Sequence, residues 1–322
     1  MKNELLPTPE DLTLPEIMER FATDDKAREY LESIRWPNGP VCPHCQNAEK
    51  AKIWKIEANP AKKVRAGLYQ CGACNGQFTV TVGTIYEDSH IPLSKWLVAW
   101  YMLATSKKGV SALQVQRMLA LGSYRTAWMM MHKIRHALQD PVFTGTLKGT
   151  VEVDETYVGG KPRKGWGIHN KRGRGTKKTP VVSLLERDGN VRSQVVRPVN
   201  AKTLKAILKK NVSPYATIMT DDYAAYPVAT KGFHDHQTVN HSAGEYVRGL
   251  AHTNSVEGFF SLLKRGVMGT FHHISEKHLP LYLAEFDYRH NFRKVSDGER
   301  AVAGLRQVEG KRLMYKAPVG KK

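Results

Sequence analysis

Residues 151–158 read VEVDETYV, a β-branched run with Asp154 at its centre, and they are followed by Gly159-Gly160. Such a run, closed by a turn signal, is a β-strand. Downstream, residues 181–186 (VVSLLE) and 191–196 (VRSQVV) flank Asp188-Gly189-Asn190 as a hairpin. Residues 201–210 read as a helix, and 217–220 (TIMT) as a short strand too apolar for the surface. Two further helices are predicted over 254–265 and 280–292, the second with Pro280 in its first turn. Residues 148 to about 300 therefore mix strands and helices as one α/β domain.

Acidic residues occupy particular positions in this pattern. Asp154 lies on the first strand, and Asp221 follows the apolar strand 217–220 and emerges at the carboxyl edge of the sheet. Glu257 sits in the first turn of helix 254–265, where Val256, Phe259, Phe260 and Leu263 share one apolar face. Glu257, Ser261 and Lys264 fall on the other face. Three carboxylates on separate elements can converge on magnesium, a hard cation that prefers oxygen donors and serves phosphodiester chemistry. Their mutual repulsion makes an empty site unfavourable, so metal entry relieves it. Each residue also has a plainer reading. Glu257 stands three residues after Asn254, at capping-box spacing. Glu152 and Glu155 read as solvated or salt-bridged strand residues, and Lys264 alone as a helix-surface lysine. His252, His272 and His273 read as surface or DNA-backbone contacts.

The chain has 322 residues and a formal net charge of +19, distributed unevenly. Residues 1–40 carry −4, leaving +23 on the remainder. An excess of that size points to a polyanionic partner such as DNA or RNA. No apolar run approaches the roughly 20 residues of a membrane span, and the N-terminus lacks a secretion-signal pattern. A cytosolic location is the expectation.

All four cysteines lie in one window, as Cys42-Pro-His-Cys45 and Cys71-Gly-Ala-Cys74. Two such knuckles in a reduced compartment match one closed tetrahedral Zn2+ site, structural and not catalytic. Short strands at 53–56, 68–70 and 78–82 would complete a zinc ribbon over 41–83. Before it, residues 1–40 form a short helical segment in which Thr13 and Glu16 set up a capping box. After it, residues 84–140 are helical, with Ser94 and Ser111 as caps and Gly122-Ser123 as a turn. Residues 107–138 hold six Lys or Arg and no acid. The module reads as a DNA-facing helix-turn-helix or, more plainly, a helical hairpin whose Trp128, Met131 and Ile134 are core.

Taken together, VEVDETYVGGK, TDDYAAY and HTNSVEGFFSLLKRG resemble the DDE transposases of bacterial insertion sequences. The four-cysteine ribbon and GTIYEDSHIPLSKW point to the ISXO-type subgroup, and the resemblance covers roughly residues 40–295. It implies a ribonuclease-H-like fold over 146–300: a mixed five-stranded sheet flanked by helices, with the acids at one edge. It carries over Asp154, Asp221 and Glu257 as ligands of Mg2+ or Mn2+, two ions at the site, and Lys264 as the basic residue after the glutamate. Asp222 occupies a position where a small residue is common; Asp221 is favoured because it directly follows the strand. The implied activity is cleavage at the element's ends followed by transesterification of the freed 3′-hydroxyl into target DNA. The implied partners are double-stranded DNA, both terminal inverted repeats and target, and further copies of the chain assembled on it.

Residues 161–178 hold eight Lys or Arg, four glycines and no acid. The stretch reads either as a solvated tract or as a phosphate-gripping loop in which Trp166 or His169 stacks on an unpaired base. A basic tail, 301–322, ends the chain. Two other functions fit the same residues: a ribonuclease-H-like endonuclease without strand transfer, and a domesticated DNA-binding regulator.

Overall fold

A computed structural model describes residues 13–139, 145–160, 176–240 and 243–315. Two compact units emerge: Met1–Ser106 with Val110–Leu138 and Val295–Lys322, and Lys107–Gly109 with Gln139–Lys294. Most of the basic stretch 161–178, including Trp166 and His169, residues 140–144 and the end of the basic tail lie outside the described residues.

In the first unit, α1 (Leu14–Arg20) and α2 (Asp24–Arg35) lead into a three-stranded antiparallel sheet. Its strands are β1 (Ile53–Ile56), β2 (Leu68–Cys71) and β3 (Gln77–Phe78). The third strand is shorter than the predicted 78–82. Beyond Phe78 the backbone donors turn inward, with Val82 N–H on the Thr79 carbonyl and Thr84 N–H on that of Thr81. Three helices follow: α3 (Leu93–Thr105), α4 (Ala112–Met118) and α5 (Tyr124–Ala137). Ser111 and Ser123 cap α4 and α5 by accepting the N–H groups of Gln114 and Thr126 at 3.1 Å. Ser94 does not cap α3. Pro92 holds the N-cap position, and Leu93 N–H is taken by Asp24 from α2. Trp96 and Trp100 fill the core beneath α3, where the Trp100 indole donates to the Tyr86 hydroxyl at 2.8 Å.

A helix not foreseen from sequence, α10 (Asp297–Leu305), returns to this unit and lies against α3. Arg300 ties it down through the Ala104 carbonyl at 3.0 Å. The following segment is also engaged, with Gly310 N–H on the Gly83 carbonyl and Arg312 beside Glu87.

The second unit is built on five strands: β4 (Thr150–Val158), β5 (Thr179–Glu186), β6 (Val191–Val195), β7 (Thr217–Asp221) and β8 (Asp235–Val239). They lie in the order β6-β5-β4-β7-β8. β5 runs antiparallel to both of its neighbours, β6 and β4, while β7 and β8 run parallel to β4. Period-2 alternation sends Val151, Val153, Val182 and Leu184 to one face, under α6 (Ala201–Asn211) and the short α7 (Tyr226–Ala229). Val158, Val181 and Leu185 go to the other face, under α8 (Asn254–Gly266) and α9 (Leu279–Asn291). The result is the mixed five-stranded sheet with flanking helices that the resemblance implies.

Candidate functional site

Parallel pairing brings the acids together. The β4–β7 ladder sets Glu152 beside Met219, and the same register two residues on carries Asp154 towards Asp221 at the carboxyl end of β7. Glu155 joins them: carboxylate oxygens of Asp154, Glu155 and Asp221 all lie within 4.8 Å of one another. Asp222 is exposed and outside this group. Glu257 is also outside the tight group, yet it lines a cleft of about 600 Å³ with Asp154, Glu155, Ser261, Lys264 and Arg265. Phe260 and Met268 supply its apolar wall.

Electrostatics reflect the crowding. Asp154 is pushed up to about 8, first by burial and then by the charges of Glu155, Asp221 and Glu257, against a hydrogen bond from the Glu155 N–H that works the other way. Beneath the cluster the fully buried Tyr226 is held as the neutral phenol, by burial and by the charges of Glu155, Asp154 and Asp221. Asp221 is steadied by the Tyr223 N–H at 3.1 Å. A crowded, partly desolvated set of carboxylates fits a hard divalent cation, whose charge would offset the repulsion.

Glu257 does not serve as a capping-box residue. The N-cap of α8 is Thr253, and its hydroxyl donates to the Glu257 carboxylate at 2.9 Å. The backbone cap comes instead from Glu152, which the sequence suggested only as a solvated or salt-bridged residue. It is fully buried and accepts the N–H groups of Ser255 at 2.8 Å and Val256 at 3.0 Å. Arg187 Nε and the Ser255 hydroxyl reach its other oxygen at 2.7 and 3.0 Å. His252, half-buried, places Nδ1 3.2 Å from the same carboxylate, whereas His272 and His273 are exposed.

The four cysteines also converge. Cys42 Sγ stands 3.7 Å from Cys74 Sγ, and Cys45 Sγ 3.7 Å from Cys71 Sγ. All four sulfurs lie within 4.8 Å of one another, and the thiols are free. Burial acts to raise Cys71, but the N–H groups of Cys74 and Ala73 and the neighbouring sulfurs bring it down, while the same crowding of sulfurs holds Cys45 up.

The chain thus combines a mixed sheet, carrying acids at the end of its two central parallel strands, with a four-cysteine ribbon, and sequence comparison matches both parts. Residues 146–291 match the ISXO2-like transposase domain, and residues 22–77 the transposase zinc-ribbon domain. The chain is 30% identical over 296 residues to an uncharacterized protein in transposable element ISH50 of Halobacterium salinarum, covering 85% of this chain and 93% of that one. It is also 30% identical over 97 residues to an uncharacterized transposase-like protein of Haemophilus influenzae, covering 30% of this chain and 77% of that one. The chain belongs to the ISXO2-like transposase family. No described helix is long and apolar enough to cross a membrane.

Proposed function

We propose that this transposase cleaves DNA at the ends of its element and joins the freed 3′-hydroxyl to target DNA, using Asp154, Asp221, Glu257 and Lys264. The observation that carries this reading is the clustering of Asp154 with Asp221, where Asp154 lines a cleft whose wall also bears Glu257 and Lys264. Mg2+ or Mn2+, held as two ions by Asp154, Asp221 and Glu257, would supply Lewis-acid stabilisation of the attacking and leaving oxygens. The chain's own contribution is placement. β4 and β7 are central strands whose positions are fixed by ladders on both sides, so Asp154 and Asp221 have little freedom. Lys264, two turns beyond Glu257 on the same face of α8, presents a cation to the phosphate being transferred. Arg265 adds a second positive charge to the same wall.

The ribbon cysteines would hold one structural Zn2+, a closed site without an open position for chemistry. We assign DNA docking to α4 and α5, where Arg117, Arg125 and Tyr124 are exposed around a helix-turn-helix-like bend. Assembly of at least two copies on DNA follows from the need to handle two element ends, and action on chromosomal DNA implies a cytoplasmic site of work.

The test is an assay with the full chain, Mg2+, labelled duplexes carrying the DNA that flanks this coding region, and a supercoiled plasmid target. Strand-transfer product is expected, with Asp154→Asn retaining DNA binding and losing both cleavage and joining. Cleavage without joining would assign the chain to endonucleases. Binding without cleavage would make it a regulator, and cleavage that persists in Asp154→Asn would show the site to be misplaced.

A further inference from the structure

We infer that Glu152 is a positioning residue, pinning the start of α8 to β4 and thereby fixing where Glu257 stands relative to Asp154. The inference rests on the reading of Asp154 and Glu257 as partners in one site. Glu152 precedes Asp154 by two residues, so the two side chains leave the same face of β4, about 6.6–6.8 Å apart along the strand. The groups it binds are the N–H donors of Ser255 and Val256, the residues immediately before Glu257. One carboxylate thus spans from the acid on the strand to the acid on the helix.

The geometry is over-determined. A helix leaves its first N–H groups without intrahelical partners, and a cap side chain from the N-cap residue ordinarily takes one of them. Thr253, at that position, makes no such bond and turns its hydroxyl to Glu257 instead. Glu152 therefore acts as a cap supplied by another element, and the favourable helix dipole adds to its hold. Full burial of an ionised carboxylate requires compensation. Arg187 provides it through Nε at 2.7 Å, while its other nitrogens donate to the carbonyls of Leu250 at 2.9 Å and His252 at 3.0 Å. The approach to α8 is fixed by the same guanidinium. α8 is thereby tied both to the strand that carries Asp154 and to the β5–β6 hairpin.

Groups that orient metal-binding side chains influence affinity by about 10–100-fold when lost. The experiment measures Mn2+ binding to the full chain, by electron paramagnetic resonance of the free ion, together with thermal unfolding. Glu152→Gln keeps the shape but presents an amide N–H2 either to Arg187 or to the α8 donors. Glu152→Asp keeps the charge but falls one methylene short. Both variants are expected to weaken Mn2+ at the acid site by about 10-fold or more while retaining a cooperative unfolding transition. Adding either to Glu257→Gln is expected to weaken Mn2+ no further, because Glu152 acts through Glu257. Wild-type Mn2+ affinity in a folded Glu152 variant overturns the inference, as does an additive loss in the double variant. Should Glu152→Gln fail to fold, Glu152→Asp decides by the same criteria. Should both fail, Ser255→Ala decides: it removes one donor, and a drop of about two- to threefold is expected, whereas unchanged affinity overturns the inference. If Glu257→Gln by itself leaves Mn2+ binding and cleavage intact, the site reading fails, an outcome distinct from any defect confined to Glu152.

Discussion

Asp154 and Glu155 are neighbours on β4, where successive side chains leave opposite faces, yet their carboxylate oxygens approach within 4.8 Å of each other and of Asp221. At the same place the Glu155 N–H donates to Asp154 Oδ1 at 2.7 Å, near the end of the neighbouring strand β7. Like charges held this close disfavour the fully ionised, metal-free site. Glu155→Gln is expected to raise the melting temperature of the metal-free protein at pH 8 by about 2–4 °C, the equivalent of roughly 1 kcal/mol for a unit of this size. The same change should weaken Mn2+ binding severalfold, because it removes negative charge from the site. A variant that melts lower without metal would show that Glu155 makes a stabilising contact instead.

The contribution of Asp154 and Asp287 to metal-free stability should fall between about pH 4 and pH 8. Asp154 is raised from 3.8 to about 8, and Asp287 on α9 from 3.8 to about 7, both chiefly by burial. Two bonds from Ser193, at 2.7 Å each, oppose the Asp287 shift without cancelling it. With a folded-state pKa above the unfolded value, the native protein holds the proton more tightly. The associated stability is complete below the ordinary carboxylate value and is lost as pH rises through about 7 and about 8. Chemical denaturation across this range should show a shallower slope up to pH 7 in Asp287→Asn, and a shallower slope up to pH 8 with saturating Mg2+. An unchanged slope in Asp287→Asn would remove that residue from the explanation.

Removing zinc should unfold the ribbon. Mass-spectrometric metal analysis is expected to find one zinc per chain, with Cys42→Ser or Cys71→Ser losing it and with it the β1–β3 sheet. Either loss should leave Mn2+ binding at the acids intact, because the cysteines and the acids belong to different units. A chain that keeps full zinc after loss of a buried cysteine would contradict the four-sulfur assignment.

Arg117→Ala and Arg125→Ala test DNA docking by α4 and α5. Each neutralises one exposed cation. If each guanidinium meets a phosphate, binding should weaken across all sequences, and the slope of log K against log salt should decrease by about one. Loss confined to one DNA sequence would instead mean base readout.

Much of this architecture is legible in the residues because each element buries one face. The β-branched alternation of 151–158 and the helical spacing of Val256, Phe259, Phe260 and Leu263 mark β4 and α8 directly. The apolar TIMT marks β7 and so locates Asp221. Elements without a buried apolar stripe are silent. β8 reads DHQTV, an edge strand with four half-exposed residues, and α7 is only four residues long. Glu152 and Glu155 escaped notice as site residues because a strand pattern cannot say which acids will be enclosed. That depends on Arg187 and Ser255, 35 and 103 residues away. The one available signal was period-2 placement: Glu152 shares a face with Asp154 on a strand too apolar to be an edge.

Diffraction from manganese-soaked crystals of the full chain, at the manganese absorption edge, tests the acid site most directly. Anomalous density is expected within bonding distance of oxygens from both Asp154 and Asp221, with Glu257 on the side facing Lys264. Manganese bound only elsewhere, with the acid cluster bare at saturating concentration, would contradict the assignment of these residues as the metal-holding centre of the transposase.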